Sequence, residues 1–476
     1  MVEALASVAH AAASVRSYLA ATPGRLALRF LGVCAAILLA AVVTLLSAAN
    51  ASRTIRTIGS DAEPSVVLAL RIGAGLADLD AAATEDALAS GMSAAGTSRG
   101  WRSGKADLDT LLVQASRNIT YADETTALQN LLRWTGEYHA SLAEVRGAAD
   151  PAHPFTATQR LQWSHRLLRE FDLPEAGTLA AANRMPLDAA YAAYAAYSKY
   201  HWQDGTAAAV AILPLAGVLA AVQVFLTRRT HRLVNPPLAA ATALAACLLA
   251  GLLVTGAMSR EALRSAKVDC FDSLDALFSA KAAVAAMNAD LSLWLLDPAT
   301  RQAVSDGIDA RARTLLDVQW RDSPTWGKLL QALAAAQADE RQGRPAAARA
   351  ELPELGGLLG KELNNITFGV AERDPASDAA RGLLDLMQVA DRVRALRTPN
   401  QMVQAVQVRE TEGAAALAGL QGALDRTIAV NQAQFDARIG RAQRLATWTP
   451  VVVCAGLALI GLLTAAGLWP RYREYM

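Results

Sequence analysis

The chain has 476 residues, 53% of them hydrophobic and 5% aromatic, and its 19% of charged residues falls below the ~25% of an ordinary soluble protein. The apolar excess is Ala, Leu and Val gathered into four runs, 26–49, 206–226, 237–258 and 447–469, whose only early charge is Arg29. Each run reaches the ~20 residues that a helix needs to cross a bilayer. A soluble domain would have to bury four uncharged helices on every side, so that class is excluded.

Residues 1–25 place Leu5, Val8, Ala12, Val15 and Leu19 on one face. This is a weak amphipathic helix on the cytoplasmic side, resting on membrane lipid or docking a partner. The first span, 26–49, is too long for a signal peptide and reads as an uncleaved anchor.

The segment 50–205 carries Ser65, Leu68, Ile72, Leu76, Leu79, Ala83 and Asp86 at alternating steps of three and four, a helical stripe. Gly91–Gly104, Ala148–Pro154 and Pro174 are expected turns. Tyr191, Tyr194, Tyr197 and Tyr200, then Trp202, read as an aromatic belt above the membrane. Span 206–226 leads into the basic loop 227–236, with Arg228, Arg229, His231 and Arg232, and span 237–258 follows.

The segment 259–446 repeats the layout. Leu274, Leu277, Lys281, Val284, Met287, Leu291 and Trp294 form its first stripe, and a shift of 208 residues sets Leu76 on Val284, Leu79 on Met287 and Asp80 on Asn288. Turns are expected at Asp297-Pro298, Asp322–Gly327, Gly343–Pro345, Asp374-Pro375 and Pro399-Asn400. Strand signals are absent. The expected fold is an all-α membrane protein: four transmembrane helices and two extracytoplasmic four-helix bundles in an internally duplicated arrangement. Span 447–469 and the tail 470–476 close the chain.

Charge sets the orientation. The short segments and the start of the first run carry eight Arg (16, 25, 29, 228, 229, 232, 471, 473) against Glu3 and Glu474. Segment 50–205 has 14 basic and 18 acidic residues, and segment 259–446 has 23 and 24. Basic residues stay inside, so both termini are expected in the cytoplasm and both large segments outside. The cytoplasmic pieces are too small for a kinase or cyclase domain. Cys270 is the one cysteine outside the apolar runs, so no bridge is expected within an outer segment.

Nothing in the sequence assembles a catalytic or metal site. His10, His139, His153, His165, His201 and His231 lack ligand spacing with each other or with Cys. An enzyme, a cofactor and a nucleic-acid partner are not expected. A carrier needs polar groups inside the membrane, and among the four runs Gln223 is the strongly polar interior side chain. Asp80 and Asn288 stand close to the apolar stripes of equivalent helices. Two readings apply: an inter-helix hydrogen bond that fixes register, or, with Arg71, Asp78 and Asp290, a ligand or partner groove between the bundles.

The stretch Thr57–Gly91, the Val234-Asn235-Pro236-Pro237-Leu238 motif, Phe271-Asp272-Ser273-Leu274, and Glu362-Leu363-Asn364-Asn365-Ile366-Thr367-Phe368 resemble GlnX-type four-pass bacterial sensors. The family pattern continues Pro-Gly-Glu, whereas this chain has Gly369-Val370-Ala371-Glu372. The resemblance implies a bacterial inner-membrane sensor touched outside by a solute-binding protein or a small amino-acid-like ligand. It also implies a cytoplasmic effector such as a Ser/Thr kinase. The expected function is a transmembrane signalling intermediary, one chain holding the four membrane helices and two bundles that a chemoreceptor dimer assembles from two. The alternative is a non-enzymatic accessory or scaffold subunit of a larger membrane complex. Ligand, effector, direction of signalling and oligomeric state stay open.

Overall fold

The computed structural model describes residues 22–119, 122–149, 154–200, 203–230, 235–317, 323–351, 355–396 and 398–474. The amphipathic stretch at 1–21 and Trp202 lie outside them, as do the side chains of Tyr194, Tyr197 and Tyr200. The described residues are almost wholly helical. They contain no strand, only an isolated bridge between Asp317 and Gly356. The chain divides into two compact units, and each is taken by itself.

The first unit holds residues 1–57, 190–263 and 438–476. It is built from α1 (Thr22–Arg56), the end of α6 (Leu173–Tyr200), α7 (Gln203–Thr230), most of α8 (Pro236–Ser265) and the end of α16 (Ala414–Glu474). Its core is Val33, Ala40, Leu215, Leu219, Ala241 and Ile460, among others, while Leu31, Leu38, Leu46, Val254, Val452 and Leu462 face outward. Apolar side chains both inside and outside are what a lipid solvent allows. Gln223 donates to the Leu238 carbonyl at 2.8 Å and to Thr242 Oγ1 at 2.8 Å, so the polar side chain of the second run is absorbed by helix pairing. A Cβ on Gly456 would stand 2.8 Å from the methyl groups of Leu248, whose side chain would have to shift.

Three helical stretches are long and apolar enough to span a membrane: Gly24–Ser90, Pro236–Leu296 and Met402–Pro470. They point to a membrane protein. The second expected span, 206–226, is matched among the described residues by a shorter apolar helix, Ile212–Arg228.

The second unit holds residues 58–189 and 264–437. Its first segment contains α2 (Glu63–Ser90), α3 (Arg99–Arg117), α4 (Ala122–Gly147), α5 (Pro154–Leu167) and the start of α6. Ile72, Leu76, Leu79 and Ala83 of the expected stripe enter its core with Leu108, Leu131 and Tyr138. Asp86 accepts the backbone N–H groups of Thr97 and Ser98 and fixes the turn into α3, whose N-cap is Ser98.

The second segment contains α9 (Asp272–Leu296), α10 (Arg301–Leu315), α11 (Ser323–Arg341), α12 (Pro345–Glu351), α13 (Gly357–Asn364), α14 (Val370–Ala395), α15 (Met402–Val408) and the start of α16. Val284, Met287 and Leu291 of its stripe join Leu383, Leu420 and Leu424 in a separate core. Lys281 leaves the stripe and pairs with Asp425 at 2.7 Å.

Two expected breaks are absent. Pro174 follows directly on a π-helical stretch at Leu168–Asp172, and the helix runs on through it from α5 into α6. Pro375 lies near the start of α14, where the Arg373 N–H already closes on Gly369, and the helix continues through it. Further π-helical stretches occupy Thr57–Ala62, Ala266–Phe271 and Arg409–Gly413.

Candidate functional site

Within the second unit the two segments meet along α2 and α9. Ala77 and Ala81 pack on Ala285 and Ala289, buried residues at the same 208-residue spacing. Small side chains let the two backbones approach closely, so this seam is short of apolar area. Polar contacts flank it.

Asp80 is 3% exposed and accepts from His165 Nδ1 at 2.5 Å and from Tyr138 Oη at 3.4 Å. His165 reaches across the seam, its Nε2 standing 3.4 Å from Asp290 Oδ1. Asp290, 2% exposed, also accepts from Arg169 of the first segment at 3.0 Å and from Arg311 of the second. One histidine and two arginines therefore enclose two buried carboxylates from opposite segments. Burial works against the His165 imidazolium, yet Asp80 and Asp290 outweigh it and push its pKa up to about 9. At neutral pH it is a cation.

Asn288 has a parallel setting. It accepts from Arg409, which is 1% exposed and whose other arm lies 3.6 Å from Glu85 of the first segment. Burial pulls the Arg409 pKa down, with Glu85 and Glu410 opposing. Each segment thus carries one buried base that holds the polar residue of its own first helix and an acid of the other.

Asp78 accepts from Gln421 at 3.2 Å, and burial raises its pKa to about 6 against the pull of Lys281. Glu63 accepts from Gln432 at 3.3 Å, and burial raises it to about 7. On the other flank Arg184 pairs with Asp275, and Lys267 pairs with Asp188 at 2.9 Å. The last helix of each segment therefore bonds to the N-terminal part of the other segment. Arg71 is exposed. Of the five candidate residues, Asp80 and Asp290 join one network, Asn288 and Asp78 hold separate contacts along the seam, and Arg71 faces out. All four enclosed side chains are engaged by protein groups.

Sequence reasoning missed the basic partners His165, Arg169, Arg311 and Arg409, because nothing local to them marks burial. It also missed an acidic pair. Glu362 and Glu372 are 1% and 0% exposed; Asn431 Nδ2 donates to Glu362 at 3.1 Å, and the Thr367 and Phe368 N–H groups donate to Glu372 at 2.8 and 2.9 Å. Burial, then the neighbouring Glu372, pushes Glu362 up to about 8. Glu362 Oε2 and Glu372 Oε1 are buried without a hydrogen-bond partner among the described residues, a setting that favours the protonated form of one carboxyl. One signal did exist: Asn118-Ile119-Thr120-Tyr121 recurs as Asn365-Ile366-Thr367-Phe368.

Long apolar helices, with a separate helical unit closed by buried charge, point to a helical membrane protein. A family model described as an actinobacterial sensor domain matches residues 54–192, which suggests a bacterial sensor protein. No curated protein and no solved structure matches the chain.

Proposed function

We propose that the protein is a four-pass transmembrane signalling intermediary of the bacterial inner membrane, with both termini in the cytoplasm. Its two outer helical segments sense a small ligand or a liganded solute-binding protein. The change passes to a separate cytoplasmic partner such as a protein kinase. One observation carries the reading: the buried Asp80–His165–Asp290 network, with Arg169 and Arg311, ties the first helix of one segment to that of the other. The helices that form this seam are those that lead along the chain into the apolar spans. The match of residues 54–192 to a sensor domain supports the same role.

A seam with little apolar area and much paired charge is suited to two packings of similar energy. Ligand binding then selects one packing, and a shift of an ångström or two along a helix is the form in which it travels.

Site-specific photo-crosslinkers at Arg71 and Arg228 in cells test the reading. The expected result is a soluble cytoplasmic protein at Arg228 whose yield changes when amino acids are added to starved cells. A stoichiometric partner with constant yield overturns the relay and leaves a scaffold. A reporter active in the cytoplasm when fused within 58–189 overturns the topology.

A further inference from the structure

Four π-helical stretches interrupt the helices of the two segments. Thr57–Ala62 and Leu168–Asp172 belong to the first, Ala266–Phe271 and Arg409–Gly413 to the second. Each lies on a helix that borders an apolar run along the chain. A π-helical turn closes on i→i+5 instead of i→i+4, so it takes in one residue more than an α-turn.

The segments open these turns by different means. In the first, a proline follows each stretch by two residues, Pro64 after Ala62 and Pro174 after Asp172. A proline ring inside a helix clashes with the carbonyl four residues back and offers it no N–H. Those carbonyls belong to Ser60 and Glu170, both within the stretches, so the chain itself opens the turn. The second segment has Ser273 and Ala415 at the same two places. Side chains hold its turns instead. Asn365, the cap of α13, donates from Nδ2 to the Val268 carbonyl at 2.9 Å and to Ser273 at 3.2 Å. Asn118, the cap of α3, donates to Ser65 at 2.7 Å, beyond the first stretch. Arg409, the first residue of its stretch, donates to Asn288. Its stem lies against Gly413, the last residue, where a Cβ would stand 3.3 Å from Arg409 Cδ. Arg409 Nε and Nη1 are buried without a hydrogen-bond partner among the described residues, so this hold leaves part of its desolvation cost unmet. A turn opened by a proline ring stays open. A turn held by a side chain closes when the side chain lets go.

We propose that Arg409–Gly413 is an adjustable joint, which closes to an α-turn when Arg409 leaves Asn288 and passes its extra residue to α15. The helix α16 then turns by about 100° and moves about 1.5 Å relative to α15. The lengths favour this direction. Ahead of the joint α15 has 7 residues, whereas α16 runs for 61 residues beyond it and through the last apolar run. The short element absorbs the shift, and the long one carries it. Leu168–Asp172 cannot make the same change while Pro174 follows it. The joint's place in signalling rests on the relay proposed above; its geometry does not.

Single-residue deletions in the full-length protein test it. Thr411 and Glu170 are exposed residues of the two stretches. Deleting Thr411 removes the extra residue from a turn that no proline opens, and the expected product melts at the temperature of the wild type. Deleting Glu170 forces Pro174 into an α-turn and lowers the melting temperature; adding Pro174→Ala to that deletion restores it. A Thr411 deletion that does not fold, or a Glu170 deletion that melts like the wild type, overturns the proposal. The photo-crosslinker at Arg228, in starved cells given amino acids, then reads the joint. The yield is expected to change in the wild type and in the rescued Glu170 deletion, and to stay constant in the Thr411 deletion. A folded Thr411 deletion that responds like the wild type overturns the joint and leaves the relay standing. A wild type that does not respond overturns the relay, and the joint's place in signalling falls with it.

Discussion

The two halves of the seam solve one problem with different chemistry. Asp80 is held by His165, a base that can lose its proton, whereas Asn288 is held by Arg409, which keeps its charge across the whole accessible range. The first half is therefore the titratable one, and the second is a fixed pin. Their buried clusters differ in the opposite sense. The second segment closes its Ser–Asn–Glu–Asn cluster (Ser273, Asn365, Glu372 and Asn431) with a carboxyl of its own, Glu362, and the first, with Ser65, Asn118, Glu124 and Asn183, has the small Ala115 at the equivalent position. Each segment of the unit thus carries one titratable buried group, His165 at the seam in the first and Glu362 in the cluster of the second.

The strongest way to break the comparison is to remove the acid that both segments share. Asp290→Ala leaves Arg169, Arg311 and His165 facing one another with one counter-charge fewer. Loss of one partner from a buried charge cluster costs about 3–5 kcal/mol, read as a lower midpoint of denaturant unfolding. Packing the seam apart is the next largest effect. Ala81→Leu or Ala285→Leu forces added methylenes between α2 and α9 and costs about 1–3 kcal/mol. The same substitution on an exposed helix face, at Ala106, is expected to change little, so the pair separates seam strain from helix propensity.

Proton linkage distinguishes the halves further. His165 titrates at about 9 in the fold and at about 6.5 in an unfolded chain. Its contribution is complete below about pH 6.5 and is lost as pH rises through 9. Asp80→Asn gives the first half the residue type of Asn288. The alkaline loss then moves to lower pH by at least about one unit, because the largest attraction raising the histidine is gone. Glu362 has the same sign. Its pKa is raised to about 8, so the protonated form is favoured by folding, and stability falls as pH climbs from the ordinary carboxylate range through 8. Glu362→Gln stays neutral at every pH, and its melting temperature is expected to exceed that of the wild type at pH 9.

The long-range bases were not legible in the sequence, but the stripes were. Ile72, Leu76 and Leu79, with Val284, Met287 and Leu291, follow the helical period, and the period survives because these residues pack on cores. Asp80 and Asn288 stood out because they share one spacing. His165 lies 85 residues from Asp80, and Arg409 lies 121 from Asn288, so no local pattern pairs them. The second cluster was hidden by changing register. Ser65 and Ser273 are 208 residues apart, Asn118 and Asn365 are 247, and Asn183 and Asn431 are 248. Helices α10 to α13 lengthen the second segment between the first pair and the second. A single fixed shift, which aligns the first helices, therefore passes over the Asn-Ile-Thr motif.

The smallest effect concerns those capping asparagines, and it sharpens the comparison at the helix ends. Asn365 Nδ2 donates to the Val268 carbonyl at 2.9 Å as well as lying near Ser273, and Val268 belongs to the π-helical stretch Ala266–Phe271. A π-helical turn displaces carbonyls from their usual partners, so an external donor there holds the wide turn in place. Asn118 makes its corresponding contact to Ser65, three residues beyond the π-helical stretch Thr57–Ala62. Asn365→Ala should then cost about 1 kcal/mol, the net worth of one hydrogen bond, and should also speed amide exchange within 266–271. Asn118→Ala should cost a similar amount or less and speed exchange within 57–62 less, because its serine partner itself donates to the Asp61 carbonyl at 2.7 Å. Equal exchange responses would mean that the asparagine acts only as a helix cap in both segments, and that the π-helical turn is held by its own packing.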